Sequence, residues 1–346
     1  VRARYIRASV AGTYVRALAR VVVCRVHHPL PCKESFERRA RAQARSPFLQ
    51  FLGSSCLRFL RLVAPARVKS GIFRLIFGLL ITIIIYAILL IIAGLLITVL
   101  MGNVWVQHLT IPSGVLSPSQ TLTILGSFSF LIIAVGLVAM LLHEQTLMEL
   151  LGGLAMTSSQ FLSAMRGLLI YIVITIFFIF IFEEFDQQLS VFLWLSLLPI
   201  TLLLILIQVS AEELLFRGYF QSQLAALGAP KIIWILVPSI LFGLLHYNPT
   251  AMGGFAQWTA LWAVAFGILA ADLTARSGTL GPAIAFHFTN NFIALAVFGL
   301  EDFLGGLSLY VYPFSVIDTA ELITRLPKEA LGVLVAYLFV RLVMRT

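Results

Sequence analysis

The stretch Ala211-Glu212-Glu213-Leu214-Leu215-Phe216-Arg217 closes a long run that is otherwise almost wholly apolar. Ionisable side chains are expensive at membrane depth, and they occur there facing a bundle interior with named partners. A membrane anchor requires none of these three charges, so the stretch reads as part of a functional site. Two later apolar segments each carry one histidine, His246 and His287, and the second adds Asn291 one helical turn further on.

Composition gives the class. Apolar residues make up 60% of the 346 and charged residues 11%, against about 45–50% and about 25% in a soluble domain. The chain is therefore expected to be an integral, multi-pass membrane protein. Its positive charge is concentrated at one end. Residues 1–70 hold thirteen Arg and two Lys against Glu34 and Glu37, whereas the remainder carries a net negative charge. A basic arm beside membrane segments signals orientation and contact with anionic lipid, so the high pI points to the bilayer as partner and not to nucleic acid.

Residues 1–53 lack a sustained apolar period and are expected to form a disordered Arg-rich segment outside the domain. A transit-peptide-like leader or a mis-assigned start fits the same composition. All three cysteines, Cys24, Cys32 and Cys56, lie in the arm, which leaves the hydrophobic body without thiolate chemistry. The cluster His27-His28-Pro29-Leu30-Pro31-Cys32 lacks the paired spacing of a zinc site. Residues 54–73 form a basic amphipathic stretch expected at the membrane surface, with Arg58, Arg61, Arg67 and Lys69 among Phe59, Leu60, Leu62 and Val63.

The transmembrane domain, 74–346, contains apolar segments near 74–100, 122–142, 166–182, 191–210, 231–247, 255–273, 279–299 and 328–344. Each approaches the ~20 residues that cross a bilayer as a helix. The expected fold is all-α and polytopic, with about eight transmembrane helices. Loop charge places both termini in the cytoplasm, with loops 101–121, 183–190 and 300–326 on the opposite side. Neither an internal repeat nor matched broken helices suggest a transporter.

The hairpin Gly228-Ala229-Pro230 ends one helix and begins the next. Counting from it at ~1.5 Å per residue brings Glu212 and His246 to similar depth on antiparallel neighbours, while His287 comes out shallower. On a helix advancing ~100° per residue, Glu213 and Arg217 form an (i, i+4) pair that leaves Glu212 facing elsewhere. His246 shares its face with Phe242, and His287 with Asn291. Singly, each residue has a structural explanation, as an ion pair or as inter-helix hydrogen bonding. Together they form a carboxylate, two imidazoles and an amide on successive helices.

Two chemistries use such a set. Glu212, His246 and His287 can hold one zinc-like divalent metal that activates water. Without a metal, Glu212 and His246 can act on water as general bases while Asn291 donates to the oxyanion. His143-Glu144 lacks the second histidine of a zinc-protease helix, and Ser210 and Ser239 lack a nucleophile's context.

Glu212-Glu213-x-x-x-Arg217, Phe242-x-x-x-His246 and His287-x-x-x-Asn291, in that order, resemble the CPBP intramembrane proteases: the type II CAAX prenyl endopeptidases and their bacteriocin-related, Abi-like bacterial relatives. The resemblance spans about residues 205–300, within a CPBP-like core of about 166–300. It implies an eight-helix bundle around an intramembrane active-site cavity open to the cytoplasm. It also implies Glu212 and His246 activating water, His287 and Asn291 completing the site, and a peptide or lipidated protein as substrate. A bacterial inner membrane is the expected location. The competing class is a non-enzymatic scaffold, immunity protein or transporter.

Overall fold

The computed structural model describes residues 58–102, 116–300 and 302–345. The expected disordered segment 1–53 lies outside the described residues. Among the described residues the helices of twelve residues or more are α1 (Ile72–Met101), α2 (Pro118–His143), α3 (Leu154–Phe182), α4 (Val191–Glu213), α5 (Lys231–Leu245), α6 (Ala256–Ser277), α7 (Gly281–Phe292) and α8 (Thr319–Met344). They overlap the expected apolar segments, but not all are long and apolar enough to cross a membrane. By length and composition, α1, α2 and the helical stretches Leu147–Phe182, Val191–Ala226 and Pro249–Ser277 suffice to cross a membrane, while α5 is apolar but shorter. The protein is an all-α polytopic membrane protein.

Local sequence accounts for the boundaries. Ser117 caps α2 in a capping box with Gln120, and Pro118 occupies the first turn, where its missing N–H costs nothing. Ser190 caps α4 through Leu193 N–H. Gly228 at φ 81° and Pro230 break the chain between α4's extension and α5. Gly278 at φ 74° ends α6 in the left-handed conformation that glycine adopts without a Cβ penalty.

The solvent of this bundle is hydrocarbon. α1 buries only Leu75, Gly78 and Thr82 and exposes Phe73, Ile83, Ile91 and Val99. Presenting such a face to water would forgo roughly 1.5–3 kcal/mol per large side chain, which a bilayer restores. The protein core gathers Leu125, Val135, Ile205, Tyr219, Phe242 and Phe266. α5 packs chiefly on α6, α3 on α7, and α2 on α4. Two glycines allow the α5–α6 approach. A Cβ on Gly243 would stand 2.6 Å from Ala260 O, and one on Gly267 would stand 3.0 Å from Ser239 Cβ.

The basic stretch is helical over 58–66, and protein covers its apolar face. Leu62, Val63 and Ala66 are buried, and the Phe59 ring lies 4.8 Å from Trp234. Arg61 and Arg67 remain exposed.

A feature with no sequence precedent is a small sheet. β1 (Asp186–Gln187) pairs antiparallel with β3 (Tyr310–Tyr312), and β2 (Phe298–Leu300) pairs parallel with β3. Asp186 faces Val311, and Phe298 faces Tyr310. The sheet ties loop 183–190 to loop 300–326, two of the three loops expected on one side.

Candidate active site

The two glutamates sit at a change of helix type. α4 passes without a break into a π-helical stretch, Leu214–Gln221, and then into Ser222–Ala226. Widened turns of this kind recur at functional sites. Here the change begins at the residue after Glu213. Glu212 is 9% exposed, and Glu213 and Arg217 are fully buried.

The expected (i, i+4) pair is present: Arg217 Nη1 donates to Glu213 Oε1 at 3.2 Å. Arg217 Nη2 donates to Gly267 O at 3.2 Å, and the guanidinium lies 4.7 Å from the centroid of Phe242. The close packing that Gly267 permits thus also delivers a carbonyl to the buried cation.

Glu213 has a second partner. His287 Nδ1 lies 2.9 Å from the same Oε1. An ionised carboxylate only accepts, so Nδ1 carries the proton and donates. The other ring nitrogen, Nε2, faces Glu212 Oε2 at 3.5 Å. The imidazole therefore bridges the adjacent carboxylates. Glu212 does face away from Arg217, but it shares His287 with Glu213, a contact that sequence spacing did not reveal. Oε2 of each glutamate is buried and accepts no hydrogen bond from protein. Two carboxylates and one guanidinium sum to −1, and a buried uncompensated charge is costly.

His246 caps the C-terminal end of α5, one residue beyond the last helical position. Its Nδ1 lies 2.8 Å from Phe242 O, so this nitrogen also donates and Nε2 keeps its lone pair. Phe242 contacts both histidines, its centroid 4.6 Å from His246 and 5.9 Å from His287. Phe266 packs on the His287 ring at 4.9 Å.

Asn291 Nδ2 donates to Gln208 Oε1 at 2.8 Å, and Asn291 Oδ1 accepts from Asn290 Nδ2 at 3.1 Å. Gln208 precedes Glu212 by one helical turn, as Asn291 follows His287 by one. α4 and α7 therefore meet in two rungs, Glu212–His287 and Gln208–Asn291. Sequence reading missed Gln208, although a glutamine one turn before Glu212 in an apolar run is a visible signal.

The three residues considered as metal ligands, Glu212, His246 and His287, are not drawn into one set. Among the described residues no three His, Cys, Asp or Glu side chains are grouped to hold a metal ion. Glu212 and His287 approach each other, and the Phe242 ring packs against both His246 and His287. Elsewhere, His143 bonds Tyr219 Oη at 2.8 Å and Lys69 O at 2.9 Å. Asp272 pairs with Arg276 and accepts from Tyr337. Both groups lie outside the cluster.

Comparison with known proteins bears on this region. Residues 192–293 match the family model described as type II CAAX prenyl endopeptidase Rce1-like. The chain is similar to the uncharacterized protein YyaK of Bacillus subtilis (strain 168), with 31% identity over 126 residues. That alignment covers 36% of this chain and 41% of the relative, so the chain spans about two-fifths of the length of the curated protein it matches. No solved structure matches.

Proposed function

From the match of residues 192–293 to the family model of type II CAAX prenyl endopeptidases, Rce1-like, we propose that this chain is an intramembrane endopeptidase. Its substrate is a membrane-associated or lipidated peptide. The observation that carries the reading is the bridge Glu212···His287–Glu213–Arg217, which joins titratable groups from two apolar helices.

In this reading a water is held by Glu212 Oε2 and by the free Nε2 of His246. As the water oxygen bonds to the scissile carbonyl carbon, its proton passes to Glu212, the general base. The carbonyl becomes an oxyanion and takes a hydrogen bond from the Asn291 N–H that Gln208 does not use. The tetrahedral intermediate collapses when the C–N bond breaks, and the amine leaves with a proton from the Glu212–His287 pair. Water is thus divided between the two products. Glu213 fixes the orientation of His287 as a buried carboxylate fixes a catalytic imidazole, and Arg217 compensates its charge. Each step uses this chain's own residues; Glu212, His246 and His287 are the ones that would hold a metal and let it polarise the water.

The test is product mapping. Protein reconstituted in vesicles is incubated in ¹⁸O-labelled water with a library of prenylated and unmodified peptides. Hydrolysis places one label in the new carboxylate of a defined fragment. Intact peptides throughout would sink the reading in favour of a binding scaffold.

A further inference from the structure

A cavity of about 840 Å³ lies between α3 and α8, and none of Glu212, His246, His287 or Asn291 lines it. On α3 its wall is Tyr171, Thr175, Phe178 and Phe182, a spacing that keeps one helix face. On α8 it is Arg325, Lys328, Glu329, Gly332 and Phe339, again one face. Ala294 from the π-helical end of α7 and Trp262 from α6 form the back. Tyr171 and Phe339, with ring centroids 6.4 Å apart, close the deep end.

Its length and polarity describe a ligand. From Arg325 to Phe339, α8 rises about 21 Å at ~1.5 Å per residue. One leaflet is about 15 Å of hydrocarbon, or about 20–22 Å with its headgroups. All the charged lining residues, Glu183, Arg325, Lys328 and Glu329, lie at the end nearest the small sheet. That end shares Phe182, Glu183, Phe314 and Arg325 with a shallower depression of about 550 Å³, which adds Glu184, Asp318 and Glu321. The mouth is thus acidic. Arg325 is already committed to Glu183 and Glu321. Lys328 also pairs with Glu183 but keeps 61% of its side chain exposed. Glu329 is exposed and accepts no hydrogen bond from the described residues. A tail must therefore be apolar and about one leaflet long. A head must bring positive charge for Glu329 beside an anionic group for Lys328.

We propose that this cavity binds a phospholipid of the sheet-side leaflet, with an acyl chain between α3 and α8 and an amine-bearing, ethanolamine-type head at Glu329 and Lys328. The cavity adjoins the candidate active site through Asn290, which lines it and donates to Asn291, but none of the four candidate catalytic side chains lines it and its lipid binding does not depend on proteolysis.

The full chain is reconstituted in phosphatidylethanolamine–phosphatidylglycerol vesicles. They carry a trace of either lipid with a photoactivatable group at the chain terminus, and the labelled peptides are mapped. The phosphatidylethanolamine probe is expected to label cavity residues of α3, α7 and α8. Ala294→Trp, which fills the cavity from its back wall, should reduce that labelling at least fivefold. Glu329→Gln should reduce labelling by phosphatidylethanolamine at least fivefold and leave that by phosphatidylglycerol unchanged. If Ala294→Trp does not fold, the Glu329→Gln comparison decides alone. Labelling confined to the exposed face of α1 would overturn the proposal, as would equal response of both probes to Glu329→Gln. Displacement of the lipid probe by a prenylated peptide would instead assign the cavity to a substrate tail.

Discussion

Replacing Arg217 with Ala should destabilise the protein far more than neutralising its partner does. Arg217 and Glu213 are wholly buried, and the guanidinium also holds Gly267 O and lies over Phe242. Arg217→Ala leaves the Glu213 carboxylate without its cation and opens a cavity. Removing one member of a buried pair costs about 3–5 kcal/mol. Glu213→Gln keeps an amide oxygen for Arg217 Nη1 and His287 Nδ1, and Glu212 remains as a second carboxylate acting on the guanidinium, so the loss is about 1–3 kcal/mol. At about 2–4 °C per kcal/mol, Arg217→Ala should lower the Tm by roughly 6–20 °C. The assay is the fraction of detergent-solubilised protein remaining monodisperse after heating, measured for both variants and for the pair Arg217→Met with Glu213→Leu. The pair removes both charges and should recover part of the loss, because apolar replacement of a buried ion pair is often near neutral. An Arg217→Ala protein melting within a degree or two of wild type would refute the reasoning. So would a double variant less stable than Arg217→Ala.

Three further outcomes are expected. Gln208→Leu removes the acceptor that orients Asn291, so cleavage should fall about tenfold, the loss of roughly one hydrogen bond, while Tm changes little; Gln208→Glu, which keeps the acceptor, should restore part of the rate. Gly243→Val should lower the yield of folded protein, since any Cβ there meets Ala260 O on α6; wild-type yield would contradict the close packing of α5 on α6. Burial alone would raise the Glu183 carboxyl, but hydrogen bonds from Lys328 and Arg325 outweigh it and hold the group below the ordinary carboxylate range. Its contribution is therefore complete above the unfolded pKa, about 4.3, and disappears as pH falls through the lower folded value. With Lys328 largely exposed the effect is at most about 1 kcal/mol, and a Tm–pH profile of Glu183→Gln should lack that acid component.

Much of the architecture is legible in the sequence because long apolar runs permit few alternatives in a bilayer. Gly228-Ala229-Pro230 and Gly278 mark helix ends by backbone chemistry, and both breaks occur as read. Glu213–Arg217 is legible for the same reason, being a contact within one turn. Contacts between helices are less accessible. Spacing puts His287 and Asn291 on one face without naming what that face meets, so the His287–Glu213 and Gln208–Asn291 bonds emerge only from the packing of α4 on α7. The depth count placed His287 too shallow for Glu212, yet the two side chains approach within 3.5 Å. The π-helical stretch after Glu213 departs from the 100° rotation assumed in such counts. The three strands are two or three residues long, too short for an alternating pattern to be seen.

The central claim is that Glu212 activates water in a folded intramembrane site. The most direct test is peptide cleavage by purified wild-type protein beside Glu212→Gln, each with and without a chelator, after matched melting curves. The account predicts that Glu212→Gln retains its fold and loses at least about 10²-fold in rate, the contribution expected of a positioned general base, while the chelator leaves wild-type cleavage unchanged. Undiminished cleavage by a folded Glu212→Gln protein would contradict it, and loss of wild-type cleavage with the chelator would contradict the metal-free route.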